Sequence, residues 1–496
     1  MSSTARATLR TAGLIVGIVA VGLALRGWLI SSTIGVLYAD EAYAGLQAIG
    51  VVRDARFPVV IDGSVYSAAL EAYVFGPPLA LAGGSVALLK WLFVGVWAVA
   101  AAATFGATRR LAGRRAAAVA GSLAWFAPGA LLVLSTRAYM GYALGLAVAA
   151  GAVWAAAIVA DESTASARSS AVLGFLAGLA FYVHPMWVTV LAPVAMIAAF
   201  VHRRDWRRWW LPAIGAAIAA NLPFLSWNAA NQWPSLNSQW YPPGTYSDRL
   251  TGFVTGLLPR AFGLRTFDGQ WVFGKPVGLL LYAAILFGVV AGCVVLVRAN
   301  RRPSRWLVPA GLIGCLPLMA LLPHLIYVAD ARYAIIPFPL MMIALGTAIG
   351  SAISAISPQR AVAAVAATTV LWAAVTIVPF MNQQDGFTRT DPNAWQDRVI
   401  ARLDEVGITH LAGDYGLVLP IEYRSDRAIR TAVAGNPYVI RFPESQRIVG
   451  RVPAERVAFL FSPGSPEAVW FYLPIGEYRQ EDLGGVILYL PPAADA

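Results

Sequence analysis

Residues 85–135 decide the fold: SVALLKWLFVGVWAVAAAATFGA (85–107), then TRRLAGRRA (108–116), then AAVAGSLAWFAPGALLVLS (117–135). Two apolar runs of about twenty residues, each long enough to cross a hydrocarbon layer, flank a short arginine-rich connection. The same pattern recurs along the chain, with apolar runs near 11–30, 139–160, 169–185, 186–201, 209–227, 276–297, 306–326, 333–353 and 362–380. The reading is a polytopic α-helical membrane protein with about eleven spans.

Composition agrees. Of 496 residues, 58% are hydrophobic and only 13% charged, and mean hydropathy is +0.63, which excludes a water-soluble globular chain. The net charge of +11 would fit nucleic acid if the arginines shared one soluble face, but they sit between apolar runs, so no nucleic-acid partner is expected. Arg109, Arg110, Arg114 and Arg115 form one basic connection. Arg203, Arg204, Arg207 and Arg208 form a second, and Arg298, Arg301, Arg302 and Arg305 a third. All three fall on one side if the spans alternate, together with Arg6 and Arg10, and the positive-inside rule makes that side cytoplasmic. The first apolar run lacks a small-x-small cleavage site and reads as an uncleaved anchor. An odd number of spans leaves the carboxy-terminal segment outside.

The expected organisation is a transmembrane domain over 1–380, with outer loops at 31–84 and 228–275, and a small extracytoplasmic α/β domain over 381–496. Loop 31–84 is expected to carry short interfacial helices. Loop 228–275, with Trp233-Pro234 and Trp240-Tyr241-Pro242-Pro243-Gly244, suits a structured cap over a cavity. In the last segment a helix is expected over Asn393–Val406 and strands over Thr409–Ala412, Val457–Phe461 and Gly485–Leu490.

On this topology the unusual polar groups collect at the outer ends of the spans: Asp40 and Glu41, Arg137 and Tyr139, His184, and Asp330, Arg332 and Tyr333. Charges near hydrocarbon are costly and are kept for function or for pairing with each other. Asp330 with Arg332 is equally a structural ion pair. His184, before Pro185, reads first as a helix-capping group. The other histidines are scattered, with His202 on the cytoplasmic side, His324 inside a span and His410 in the outer domain, so no metal-ligand spacing exists. Cys293 and Cys315 read as small buried hydrophobes. Asp404, Glu405, Asp414 and Glu422 in the outer domain are candidates for acceptor contact but read first as a solvated surface. No Gly-x-Gly-x-x-Gly, no phosphate-loop lysine and no Gly-x-Ser-x-Gly is present, so a substrate donor is expected to reach the outer face on a lipid rather than on a nucleotide.

Leu25-Arg26-Gly27 with Tyr38-Ala39-Asp40-Glu41-Ala42-Tyr43 and Gln47-Ala48 resembles the first-loop signature of the GT-C glycosyltransferases, in particular the protein O-mannosyltransferase and aminoarabinose transferase group. Asp330-Ala331-Arg332-Tyr333 with Pro337-Phe338-Pro339 resembles the entry to a late span in the same group, and Gly413-Asp414-Tyr415 with Tyr423-Arg424-Ser425 is similar to its outer domain. The resemblance implies a polyprenyl-phosphate sugar donor, transfer to a glycan, lipid or protein acceptor at the outer face, and a general base in the first loop. On it, Asp40 is the base and Glu41 orients the site. Arg332 takes the leaving phosphate, with Arg137, His184 and a snorkelling Arg26 as second choices, and Tyr43, Tyr139, Asp330 and Tyr333 line the substrate. A divalent metal fits the same chemistry without a dedicated ligand set. The competing reading is a lipid-linked sugar flippase or permease, which would carry its ionisable groups near the bilayer midplane.

Overall fold

The computed structural model describes residues 3–163, 166–236, 244–299, 302–322, 326, 330–434, 442–465 and 477–492; Trp240 to Pro243, Arg301 and His324 lie outside them. The chain divides into two compact units. One gathers Met1–Leu29, Phe93–Thr136 and Gly141–Phe387, and the other Ile30–Leu92, Arg137–Met140 and Thr388–Ala496.

The first unit is helical. Among the described residues, six helices are long and apolar enough to cross a membrane: Val86–Trp125, Ala143–Asp161, Trp206–Ala230, Lys275–Ala299, Pro303–Leu321 and Pro358–Gln383. Shorter apolar helices at Ile15–Ile30, Ala167–Val183, Pro185–Val201 and Phe338–Ala352 accompany them. This is the multi-pass architecture the apolar runs require. The 40-residue segment Val86–Trp125 would be about 60 Å long if straight, twice a hydrocarbon core. It is broken at Gly113 (φ 86°, ψ −179°) and folds back on itself: the Trp97 indole N–H donates to Ala124 O at 3.0 Å, and Gly121 packs on Phe105. The arginines of 109–115 therefore sit at a hairpin turn, as the quoted stretch predicts. The second arm ends earlier than expected, at Trp125, because Pro128 (ψ 152°) starts a separate short helix over Gly129–Leu134.

Helices in this unit approach closely where glycine removes the side chain. A Cβ on Gly174 would lie 1.9 Å from Ala213 O, and one on Gly178 2.6 Å from Ala217 O, a small-x-x-x-small contact between helices Ala167–Val183 and Trp206–Ala230. In loop 228–275, helix Tyr246–Gly252 starts at a capping box: Asp248 N–H donates to Thr245 Oγ1 (3.2 Å) and Thr245 N–H to Asp248 Oδ2 (2.8 Å).

The second unit is α/β. Its strands β1 (His410–Gly413), β2 (Arg430–Val433), β3 (Ala458–Phe461), β4 (Arg479–Asp482) and β5 (Ile487–Leu490) form one sheet in the order β2-β1-β3-β5-β4. β1 is parallel to both β2 and β3, while β5 runs antiparallel to β3 and β4. Val399, Leu403, Leu411, Val418, Ile421, Leu460 and Leu488 form its core. The three expected strands are present within two residues, and helix Ala394–Glu405 matches the expected one. β2 and β4 were not expected; β4 (RQED) is a charged edge strand without the alternation that marks a buried one. Loop 31–84 holds helices Ala39–Arg53 and Leu70–Leu81, and it belongs to the same compact unit as the carboxy-terminal residues. Gly45 makes that possible, since a Cβ there would lie 2.2 Å from the ring of Tyr423.

Candidate active site

In the second unit the first-loop motif opens a helix. Because it starts at Ala39, Asp40 and Glu41 occupy its first turn, where unpaired backbone N–H groups and the helix dipole favour carboxylates. Successive helical residues point about 100° apart, so the two acids face different surroundings. Glu41 faces inward and is fully buried. Its Oε1 accepts from Lys90 Nζ (2.7 Å) and Ala138 N–H (3.0 Å), and its Oε2 from Arg137 Nη1 (2.9 Å) and Tyr38 N–H (3.2 Å). Four donors fill the four acceptor sites of a carboxylate. Burial by itself would push the Glu41 carboxyl up, but Lys90 and Arg137 outweigh it and hold it below the usual carboxylate range.

Arg137, expected to take a donor phosphate, spends its guanidinium inside this node. Besides Glu41 it donates to Val36 O and Ile34 O, both at 2.6 Å, and it stacks over the Tyr38 ring at 4.1 Å, with 6% of its side chain exposed. Tyr139 follows two residues later and is half-buried; Tyr43 is buried in its helix. Asp40 is half-buried, and its Oδ1 accepts from the Tyr415 hydroxyl at 2.5 Å. Sequence reasoning passed over Lys90 and named Tyr415 only within the outer-domain motif, without a role at the site. Lys90 had a signal, being one of two lysines in the chain and the sole charge within run 85–107.

A second cluster forms in the first unit. Asp330 caps the short 3-10 turn Ala331–Ile335 by accepting from Arg332 N–H (3.0 Å), and its Oδ2 lies 2.5 Å from Arg332 Nε. The ion pair read from sequence is real, and each partner is about a third exposed. The guanidinium stands 5.5 Å from the Tyr142 ring and 5.6 Å from that of Tyr333. Tyr142 in turn lies 5.9 Å from both His184 and Tyr333, so Tyr142, His184, Asp330, Arg332 and Tyr333 come together. His184 is buried, and its Nδ1 accepts from Met186 N–H at 3.2 Å, which is the capping role.

Two expectations need correction. Arg26 does not snorkel: it is fully buried, donates to Ser135 Oγ (2.9 Å), Trp125 O (2.7 Å) and Gly22 O (3.2 Å), and covers the Trp125 ring at 4.1 Å. Once those carbonyls and the indole face satisfy it, nothing draws it toward a headgroup. Glu422 is not on a solvated surface either. It is fully buried, accepting from Thr431 N–H (3.0 Å), Thr431 Oγ1 (2.7 Å) and Ser445 Oγ. Among the described residues, no three His, Cys, Asp or Glu side chains gather to hold a metal ion.

The whole chain has the fold of the GT-C glycosyltransferases, a class of multi-pass membrane proteins. ArnT from Cupriavidus metallidurans in its apo state superimposes with a TM-score of 0.66 over 98% of this chain and 99% of its own, at 14% identity. The same protein bound to undecaprenyl phosphate gives 0.64 over 96% and 98%, at 15% identity. The Archaeoglobus fulgidus oligosaccharyltransferase AglB, in complex with an inhibitory peptide and a dolichol-phosphate, gives 0.51 over 96% and 74%, at 13% identity. No family profile and no curated protein matches the chain.

Proposed function

We propose that the chain is a glycosyltransferase that moves a sugar from a polyprenyl-phosphate donor to a glycan, lipid or protein acceptor at the outer face of the cytoplasmic membrane. The amino terminus is cytoplasmic, about eleven spans cross the bilayer, and residues 381–496 lie outside. The acceptor oxygen attacks the anomeric carbon, its proton passes to Asp40, and the carbon–oxygen bond to phosphate breaks with its electron pair leaving on the lipid phosphate. A single displacement inverts the anomeric centre. Arg332 stabilises the departing phosphate through its planar donor fork, with Tyr142 and Tyr333 shaping that surface. Glu41 and Arg137 hold the first loop rather than touch substrate.

The observation that carries the reading is the contrast within the acidic pair: Glu41 is fully buried with four donors, whereas Asp40 keeps solvent access at a helix start. The fold supports the donor class, because one structure sharing it holds undecaprenyl phosphate and another a dolichol-phosphate. The test is incubation of the purified protein in nanodiscs with a panel of undecaprenyl-phosphate and dolichyl-phosphate sugars and candidate acceptors, with the product's anomeric configuration read by NMR. Transfer with inversion supports the reading. Transport of intact donor across the bilayer without transfer contradicts it.

A further inference from the structure

We propose that the carboxy-terminal domain completes the catalytic machinery, with the hydroxyl of Tyr415 as the positioning group that fixes the Asp40 carboxyl for proton abstraction; this rests on the reading of Asp40 as base. Tyr415 opens helix Tyr415–Arg424 directly after β1. That is the carboxyl end of a parallel strand flanked on both sides, where open α/β sheets present functional groups. The turn delivering it is tightly held. Gly413 lies so close to β3 that a Cβ would stand 1.9 Å from Leu460 O, and the Asp414 carboxyl accepts from Ser462 N–H (2.9 Å) and Ser465 Oγ (3.2 Å).

Helices Ala39–Arg53 and Tyr415–Arg424 run side by side in the same direction, touching at three levels. At their starts Tyr415 donates to Asp40 (2.5 Å); Gly45, midway along the first helix, admits the ring of Tyr423 near the end of the second; at and just past their ends Arg53 pairs with Asp426 (2.5 Å) and Asp54 with Arg427. The Glu41 node anchors the backbone beside Asp40 but leaves rotation about its side-chain bonds to be set by something else. A charge-assisted O–H···O⁻ bond sets it, and misplacing a reacting group by about 1 Å costs on the order of 10²-fold.

The test has two arms on the full chain. In the first, 3-fluorotyrosine is placed at position 415 and its fluorine resonance recorded without substrate in wild type and Asp40→Asn; a shift supports the contact, and an unmoved resonance overturns it. In the second, Tyr415→Phe is assayed with whichever undecaprenyl-phosphate sugar the wild type turns over. The expected result is a kcat lower by about 10- to 100-fold with donor KM unchanged, and little further loss when combined with Asp40→Glu. Tyr478→Phe, which removes a hydroxyl bonded to Ala454 O, serves as a control for general loss of a half-buried phenol and leaves kcat unchanged. An unaltered kcat in Tyr415→Phe, or an equal loss in both Asp40 backgrounds, overturns the proposal. Wild-type rate in Asp40→Asn would instead remove the base assignment on which it rests.

Discussion

The ammonium of Lys90 and the carboxylate of Glu41 stand 2.7 Å apart with 1% and 0% of their side chains exposed. Arg137 closes the other side of the same carboxylate at 2.9 Å. One buried anion thus serves two buried cations, and its loss is worse than the loss of either partner. Removing one member of a buried ion pair typically costs about 3–5 kcal/mol. Glu41→Ala should fall in that range and Lys90→Met, which leaves Glu41 with Arg137, below it. Denaturant unfolding of the detergent-solubilised protein ranks the two; the reverse order would show that the node is not organised around Glu41.

Glu41 and Glu422 should respond to pH in opposite directions. Glu41 titrates below the usual carboxylate range in the folded state, so its contribution is present above the unfolded value of about 4.3 and is lost as pH falls through its folded value. Glu422 is pushed up by burial, against the pull of Ser445 and Thr431. Its folded state binds the proton more tightly, so stability falls as pH rises from about 4.3 through the raised value. Glu422→Gln should remove that decline and melt higher than wild type at pH 8, because Ser445 can turn its hydroxyl to accept. A melting temperature lowered equally at pH 5 and pH 8 would contradict the assignment.

Asp426 and Arg427 are adjacent non-glycine residues with φ of 51° and 69°, in the left-handed region. The Arg53–Asp426 pair is largely exposed and is worth about 0–1 kcal/mol. Asp426→Gly relieves about as much backbone strain as the pair supplies, leaving stability within about 0.5 kcal/mol of wild type. Asp426→Ala keeps the strain, loses the pair and should be about 1 kcal/mol less stable than the glycine variant. Equal melting of the two would show that the turn is not strained.

Gly45→Ala places a methyl group into the ring of Tyr423 and should cost about 1–3 kcal/mol by overpacking. Because the same helix carries Asp40, transfer should fall more than the small loss of folded protein explains. Pairing Gly45→Ala with Tyr423→Leu should recover stability. Failure of the second substitution to restore it would mean that the helices do not meet at this point.

Much of the fold was legible because a bilayer imposes simple rules. Apolar length marks spans, and the arginines at 109–115 mark a turn that Gly113 makes. Legibility ended where tertiary contacts override local pattern. Pro128 splits an apolar run that composition alone carries through, and β4 is strand only because β5 pairs with it. At the site, the acidic pair announced itself, but the different surroundings of the two acids come from Lys90, 49 residues from Glu41, and Tyr415, 375 residues from Asp40. Neither distance leaves a trace in a single sequence. The surface reading of Glu422 failed for the same reason, its partners Thr431 and Ser445 being brought to it by the sheet.

The most direct test of the central claim compares wild type, Asp40→Asn and Glu41→Gln for transfer of labelled sugar from an undecaprenyl-phosphate donor, with donor binding and melting temperature measured on the same samples. The account predicts transfer by wild type, none by a folded and donor-binding Asp40→Asn, and for Glu41→Gln a loss of melting temperature with transfer retained in proportion to folded protein. Full transfer by Asp40→Asn, or loss confined to a stable Glu41→Gln, would contradict it.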